Sequence, residues 1–174
     1  SENLKQLGLV LSPETERKVL ERVIELGDQN KTVTQEDLPF LIADLEGDGK
    51  ENNFEIITCI VTSGKGVLPS ALLSIRYKKE NFKETGNGDG GYDAFMDALS
   101  KIIKKLGLEL PSLLDYQLRI PPGGKTSALV GTIITWGRTI ESDEENTFRT
   151  VGVDSDQITA AIKATEKMLN LSLK

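Results

Sequence analysis

From Phe54 onward the sequence runs through one pattern and then begins it again, and this internal duplication constrains the fold more than any single motif does. In the first pass Glu55 to Val61 and Ser70 to Tyr77 read as strands, the second alternating Leu73, Ile75 and Tyr77 against Ser74, Arg76 and Lys78. Phe95, Ala98, Leu99, Ile102, Ile103 and Leu106 then share one helical face, and Gly107 is a good C-terminal stop. In the second pass Leu114 to Ile120, Ala128 to Trp136 and Phe148 to Val153 read as strands. A helix from Ser155 to Leu169 follows, with Ile158, Ala161, Ile162 and Leu169 inward. Ser70-Ala71-Leu72-Leu73 lines up with Ser127-Ala128-Leu129-Val130, and Phe95, Ala98, Leu99, Leu106 with Ile158, Ala161, Ile162, Leu169. The offset grows because Gly137 to Asn146 forms a longer, acidic hairpin loop. Each unit, about 54–107 and 113–170, is strand, strand, short strand, helix. The expected fold is α+β: duplicated β-β-β-α units forming antiparallel sheet with helices packed on it, related by a pseudo-two-fold axis.

Residues 1–50 read as a helical linker subdomain, and 51–174 as the duplicated domain. Ser12-Pro13-Glu14 is a helix start, with a capping hydroxyl, proline at the first helical position and acid in the first turn. Val19, Leu20, Val23 and Ile24 form its apolar stripe, and a second helix carries Leu38, Phe40, Leu41, Ile42 and Leu45. Two short amphipathic helices bury little alone, so they dock on something else.

With 38% apolar residues in 174, one moderate core is within reach. The net charge of −6 argues against nucleic-acid and anionic-membrane partners, which need clustered Lys and Arg. No apolar run approaches the roughly 20 residues of a membrane span, and the polar start has no signal-peptide layout, so a cytoplasmic setting is expected. Cys59 sits in an apolar run and reads as a buried reduced thiol. The chain has no histidine, so Ser-His or Cys-His catalysis and imidazole metal sites are excluded within it.

Gly86-Asn87-Gly88-Asp89-Gly90-Gly91-Tyr92-Asp93-Ala94 opens the first of the two repeated helices. Glycines admit close backbone approach, and unpaired amides at a helix start suit an anion. The spacing of Gly86, Gly88 and Gly91 satisfies the dinucleotide pattern, yet a charged stretch, Lys78 to Glu84, separates it from the strand, and no parallel sheet is in prospect. A plain helix cap is the bland alternative. Asp44 to Glu55 approaches a calcium loop but leads into a strand, so no metal is expected there. Gly124-Lys125-Thr126 lacks the earlier glycine of a phosphate loop, and Pro121-Pro122-Gly123-Gly124 and Gly64-Lys65-Gly66 read as hairpin turns. A carboxylate enzyme using Asp89, Asp93 or Asp154 would need these acids in a closed cleft, whereas they read as helix-start acids.

Taken together the motifs resemble the C-terminal regulatory domain of the isopropylmalate and citramalate synthases, acyl-CoA-dependent enzymes of leucine and isoleucine synthesis. Gly88-Asp89-Gly90-Gly91-Tyr92-Asp93-Ala94 resembles the Gly-x-Gly-Pro-Val-Asp-Ala loop of that family. Leu113-Leu114-Asp115-Tyr116-Gln117-Leu118 is similar to its Leu-x-Asp-Tyr strand, and Gly152 to Ile158 to the start of its last helix. Leu7-Gly8 through Leu38 looks like its linker, so the likeness covers nearly the whole chain.

The resemblance implies regulation without catalysis: this is a fragment, and the parent's metal-binding barrel needs histidines that it lacks. It implies a homodimer, attachment to an N-terminal catalytic barrel, and feedback inhibition by a branched-chain amino acid, with no cofactor besides that effector. The effector's carboxylate would lie on the amides of Gly90, Gly91 and Tyr92 or those near Ser155 to Gln157. Its ammonium would meet Asp93, Gln157 or backbone carbonyls, and its side chain Leu113, Tyr116, Ile120 and Val130. On the residues alone, Tyr116, Ile120 and Val130 are equally ordinary core, and Asp93 a helix-dipole acid. Gly91-Tyr92 replaces the Pro-Val of leucine-sensing relatives, which favours citramalate synthase and isoleucine. Leucine is the alternative, since one methyl's placement is worth only about 1–3 kcal/mol.

Overall fold

The computed structural model describes residues 11–28, 38, 41, 42, 45, 52–120, 129–137 and 147–173. The element order is α1 (Pro13–Asp28), β1 (Phe54–Gly64), β2 (Val67–Tyr77), β3 (Glu80–Asn87), α2 (Gly91–Lys105), β4 (Ser112–Arg119), β5 (Val130–Gly137), β6 (Thr147–Asp154) and α3 (Gln157–Ser172). The strands form two antiparallel three-stranded sheets, β1-β2-β3 (sheet A) and β4-β5-β6 (sheet B). Each unit is therefore β-β-β-α, and the α+β duplication expected above is the observed fold.

Strand register shows which residues are equivalent. In sheet A, Ala71 faces Val61 on one side and Gly86 on the other. In sheet B, Thr132 faces Leu118 and Gly152. A Cβ on Gly86 would fall on the Ala94 carbonyl and the Ala98 amide of α2, and one on Gly152 on the Ala160 carbonyl and the Ala164 amide of α3. Each helix thus lies against its sheet through the same glycine-alanine contact. Both first strands also carry a register break at the same place, after Ile56 in β1 and after Leu113 in β4. Ala71, Leu73 and Ile75 correspond to Thr132, Ile134 and Trp136, and Cys59 to Tyr116.

This pairing corrects the alignment drawn from short motifs, which matched Ala71 to Ala128 and Phe95 to Ile158. The contacts match Ala71 to Thr132 and Phe95 to Ala161. A slip of four keeps a strand in phase, and a slip of three is nearly one helical turn, so hydrophobic pattern alone cannot separate these registers.

The third strand expected in the first unit is present as β3, and a second correction concerns its extent. The charged stretch after Tyr77 is a full strand, reached through a two-residue turn in which Lys78 and Lys79 both have positive φ, 46° and 73°. Such turns ordinarily select Asn-Gly, which is why the lysines concealed it. Gly86 consequently lies in a strand and not in a loop. The Lys65-Gly66 turn joins β1 to β2, and Gly107 ends α2 with φ 68°, both as expected. The proposed turn at Pro121-Gly124 and most of the calcium-like stretch lie outside the described residues.

One core runs through both units, with Phe54, Leu73, Ile75, Phe95, Leu99, Ile102, Ile134, Trp136, Met168 and Leu169 in a single buried cluster. Trp136 donates its indole N–H to Thr150 Oγ1 at 2.8 Å, so its polar atom is satisfied inside that core. Helix α3 also closes the exposed edge of sheet A: Phe54 N donates to Asn170 Oδ1 at 2.9 Å, and Ile56 N to Glu166 Oε2 at 2.6 Å. These bonds replace the missing neighbour strand at an edge that would otherwise template aggregation.

Ser12 caps α1, accepting from Thr15 N at 3.2 Å. The helix buries Val19 and Leu26, while Leu20 and Ile24 are exposed, which corrects the expected stripe by rotating it. Leu26 and Leu41 cover Leu129 and Val153 on the face of sheet B opposite α3. Among the described residues, no helix is long and apolar enough to cross a membrane.

Candidate functional site

A cleft of about 460 Å³ lies where the start of α2, the start of α3 and β4 converge, with Ser63 of β1 at its rim. Gly90, Gly91, Tyr92 and Asp93 form one wall, Leu113, Tyr116 and Leu118 another, and Gln157 and Ile158 a third.

The α2 wall is built by steric necessity. A Cβ on Gly88 would come 2.6 Å from Ala94 N and from Asp93 Cβ, so only glycine lets the chain cross the first turn of the helix. A Cβ on Gly91 would meet the side-chain ends of Ile158 (Cδ1) at 2.7 Å and Val61 (Cγ1) at 2.8 Å, so this glycine marks a point where the two units pack closely. Gly90 is different. It is the N-cap, extended at φ −142° and ψ 172°, and its added Cβ would meet nothing nearer than Asp93 Oδ2 at 3.9 Å. No side chain caps this helix. Its first amides therefore point their partial positive charge at the cleft, with the Asp93 carboxylate beside them.

Tyr92 ties the helices together. Thr165 donates its hydroxyl hydrogen to Ala161 O at 2.8 Å, so the 2.7 Å contact between Tyr92 and Thr165 has the phenol as donor. Burial pushes the Tyr92 phenol well above its ordinary pKa, outweighing the opposing effect of Thr165. Its ring packs against Tyr116 with centroids 5.3 Å apart and against Phe95 at 5.7 Å. Burial also raises the Tyr116 pKa, opposed by Thr132 on the neighbouring strand. Thr132 Oγ1 is buried without a hydrogen bond of normal geometry, so that opposition reflects a long or bent contact.

The corner before α3 is closed by its own side chains. Asp156 accepts from Thr159 N at 2.7 Å and from Thr159 Oγ1 at 3.0 Å. Asp154 accepts from Asp156 N at 3.0 Å and is ion-paired with Lys163 at 2.8 Å. An incoming carboxylate would meet two resident ones.

The residues nominated from sequence thus divide. Gly90, Gly91, Tyr92, Asp93, Leu113, Tyr116 and Gln157 line the cleft. Ser155 does not: its hydroxyl turns to Asp154 at 3.4 Å. Ile120 lies 65% exposed beyond the end of β4, and Val130 stands at the start of β5 opposite Asp154; neither lines the cleft. Sequence reasoning missed Ser63, Leu118 and Ile158. Leu118 was within reach, since it shares the strand face that nominated Tyr116 and Ile120. Ser63 and Ile158 come from different units, and no local signal announces that they meet.

The competing chemistries find little support. The strand before the glycines is antiparallel, so the βαβ setting of a dinucleotide site is not met. Among the described residues, no group of three or more Cys, Asp or Glu side chains is placed to hold a metal ion. Cys59 is a free, half-buried thiol, and burial pushes its pKa up to about 11, so it is protonated at neutral pH.

Comparison with known sequences matches residues 32–173 to the family described as the LeuA allosteric (dimerisation) domain. A 2-isopropylmalate synthase of Heliobacterium modesticaldum is 33% identical over 165 residues, covering 94% of this chain and 30% of the relative. The (R)-citramalate synthase CimA of Methanocaldococcus jannaschii is 29% identical over 172 residues, covering 98% of this chain and 33% of the relative. A 2-isopropylmalate synthase of Syntrophus aciditrophicus is 35% identical over 102 residues, 59% of this chain and 20% of the relative. The chain thus spans a third or less of the relatives it matches.

Proposed function

The chain belongs to the LeuA allosteric (dimerisation) domain family, and from that premise we propose that it is the effector-sensing, dimer-forming part of a cytoplasmic citramalate synthase. Its effector is a branched-chain amino acid, isoleucine first and leucine second, bound in the cleft at the start of α2. The observation that carries this reading is the juxtaposition, within one cleft, of an uncapped helix start and an apolar wall. A zwitterionic aliphatic amino acid needs both. Its carboxylate lies on the amides of Gly91 and Tyr92, and the Asp93 carboxylate and Gln157 amide oxygen take the ammonium. Leu113, Tyr116 and Leu118 take the side chain. A volume of about 460 Å³ lies within the range of small-molecule sites.

Ile120, Val130 and Ser155, also nominated from sequence, stand outside this cleft and carry no part of the reading. The parent is an acyl-CoA-dependent transferase of amino-acid biosynthesis with its catalytic barrel N-terminal to this chain. The effector inhibits by preferring one of two arrangements of the dimer, since a ligand shifts an equilibrium only by its differential affinity. Relatives named for either synthase match at similar identity, which keeps the leucine reading in play.

Calorimetric titration of this chain with isoleucine, leucine and valine tests the proposal. Isoleucine is expected to bind tightest, with one ligand per chain. Tight leucine with weak isoleucine moves the assignment to the isopropylmalate enzyme, and no binding by any of the three ends the sensor reading.

A further inference from the structure

Three threonines, Thr132, Thr150 and Thr165, are buried among the described residues. Thr150 accepts from Trp136 Nε1 at 2.8 Å, and Thr165 donates to Ala161 O at 2.8 Å. Thr132 Oγ1 makes no hydrogen bond, and among the described residues it is the one buried side-chain polar atom in that condition. A buried hydroxyl without a partner destabilises a fold by more than a made bond stabilises it. The first unit avoids this, because its equivalent residue, Ala71, is equally buried and has nothing to satisfy. A second difference lies beside the first. Where the first unit has Cys59 the second has Tyr116, on the same face of sheet B as Thr132 and one step along the ladder: Leu118 faces Thr132, and Tyr116 faces Ile134. Such diagonal neighbours are within reach of an aromatic side chain. The Tyr116 phenol does approach Thr132, but the contact is too long or too bent to count as a bond. Tyr116 lines the cleft and is partly exposed, whereas Thr132 stands outside the lining and is wholly buried. The second unit thus holds an unfinished pair of hydroxyls behind the wall of the cleft.

We infer that Thr132 is a positioning residue for the effector: it accepts the Tyr116 phenolic hydrogen when an aliphatic side chain packs against the Tyr116 ring, and so sets the wall of the occupied cleft. The inference rests on the amino-acid reading of the cleft and adds a residue outside its lining. A bond that is incomplete in the free chain and complete in the occupied one contributes to affinity in full, because only the difference between the two states counts. Tyr92 packs against Tyr116 with centroids 5.3 Å apart and is itself anchored to Thr165 at 2.7 Å, so the adjustment falls to the Tyr116 ring. In the free chain Thr132 is then a cost to stability, and in the occupied chain it is a source of affinity.

Titration with isoleucine and leucine, and urea unfolding without ligand, test this on wild type, Thr132→Val, Thr132→Ser, Tyr116→Phe and the double variant Thr132→Val/Tyr116→Phe. Thr132→Val keeps the branched shape and removes the orphaned hydroxyl. Its urea midpoint is expected to equal or exceed that of wild type, while the effector binds about tenfold more weakly. Thr132→Ser retains a hydroxyl and is expected to bind within about twofold of wild type. Tyr116→Phe is expected to lose about tenfold as well, and the double variant no more than either single one, because both substitutions remove the same bond. Wild-type binding that Thr132→Val leaves unchanged, or losses that multiply in the double variant, overturn this inference and leave the sensor reading standing. A lower midpoint for Thr132→Val shows that the hydroxyl is already bonded in the free chain and overturns it too. No binding of either amino acid by wild type overturns both.

Discussion

Before α3, Asp156 and Asp154 spend their carboxylates on the helix-start amides and on Lys163. Before α2, at the equivalent place in the first unit, Gly90 offers no side chain and the amides stay open. Beneath both corners the scaffold is the same, a strand glycine seated on two helix alanines. Duplication therefore preserved what holds a helix to its sheet and let the ends of the two helices diverge. One end stabilises its own unit. The other stays open to the cleft, and the seam residues Tyr92 and Ile158, themselves equivalent, place the closed corner as a wall of the open one.

The largest test of this comparison attacks the shared part. Gly86→Ala and Gly152→Ala each force a Cβ onto helix backbone, which cannot yield as a side-chain tip can. Each is expected to cost about 3 kcal/mol or more in urea unfolding followed by Trp136 fluorescence. Similar losses at the two sites support equivalence, whereas a mild effect at either breaks it.

The next two act on what differs. Gly90→Ser supplies α2 with a cap where there is room for one. Stability is expected to stay level or rise by a few tenths of a kcal/mol, while effector affinity falls at least tenfold, about 1.4 kcal/mol, because the hydroxyl competes for the amides. Asp156→Ala is expected to do the reverse, lowering stability by about 1 kcal/mol through loss of a cap and leaving effector affinity within twofold. Calorimetry and urea titration on both variants separate the two outcomes.

The smallest effect concerns Cys59 and Tyr116, which occupy matching strand positions. Burial raises the Cys59 pKa from 9.0 to about 11, so the folded chain holds that proton more tightly than the unfolded one. The resulting stability is complete below pH 9 and is lost as pH rises through 11. Wild type minus Cys59→Ser, compared by urea midpoint across pH 8 to 11.5, should show this decline. A flat difference would mean the thiol is not desolvated.

Much of this was legible from residues alone where local chemistry decides. Ser12-Pro13 caps α1, Gly107 takes positive φ, and the alternation in β2 points Leu73 and Ile75 inward. What escaped depends on contacts between distant segments. The Lys78-Lys79 turn carries no turn residues, the placement of Gly86 in a strand requires knowing that α2 folds back over it, and the outward Leu20 and Ile24 reflect where α1 docks. In the cleft, Tyr116 could be read from its strand face and Gly90 to Asp93 from the helix start, whereas Leu113 reaches the same face as Tyr116 only through the register break that follows it. Ile158 and Ser63 could not, because the seam between the units exists only once both have folded.

The central claim is that the open corner, and not the closed one, receives the effector carboxylate. An amide nitrogen–proton correlation spectrum of this chain titrated with isoleucine reads both corners at once. The Gly91 and Tyr92 amides are expected to move downfield with a common saturation curve while the Thr159 amide, already bonded to Asp156, stays in place. Saturating shifts at Asp156, Gln157 and Thr159 with Gly91 and Tyr92 unmoved would contradict the account.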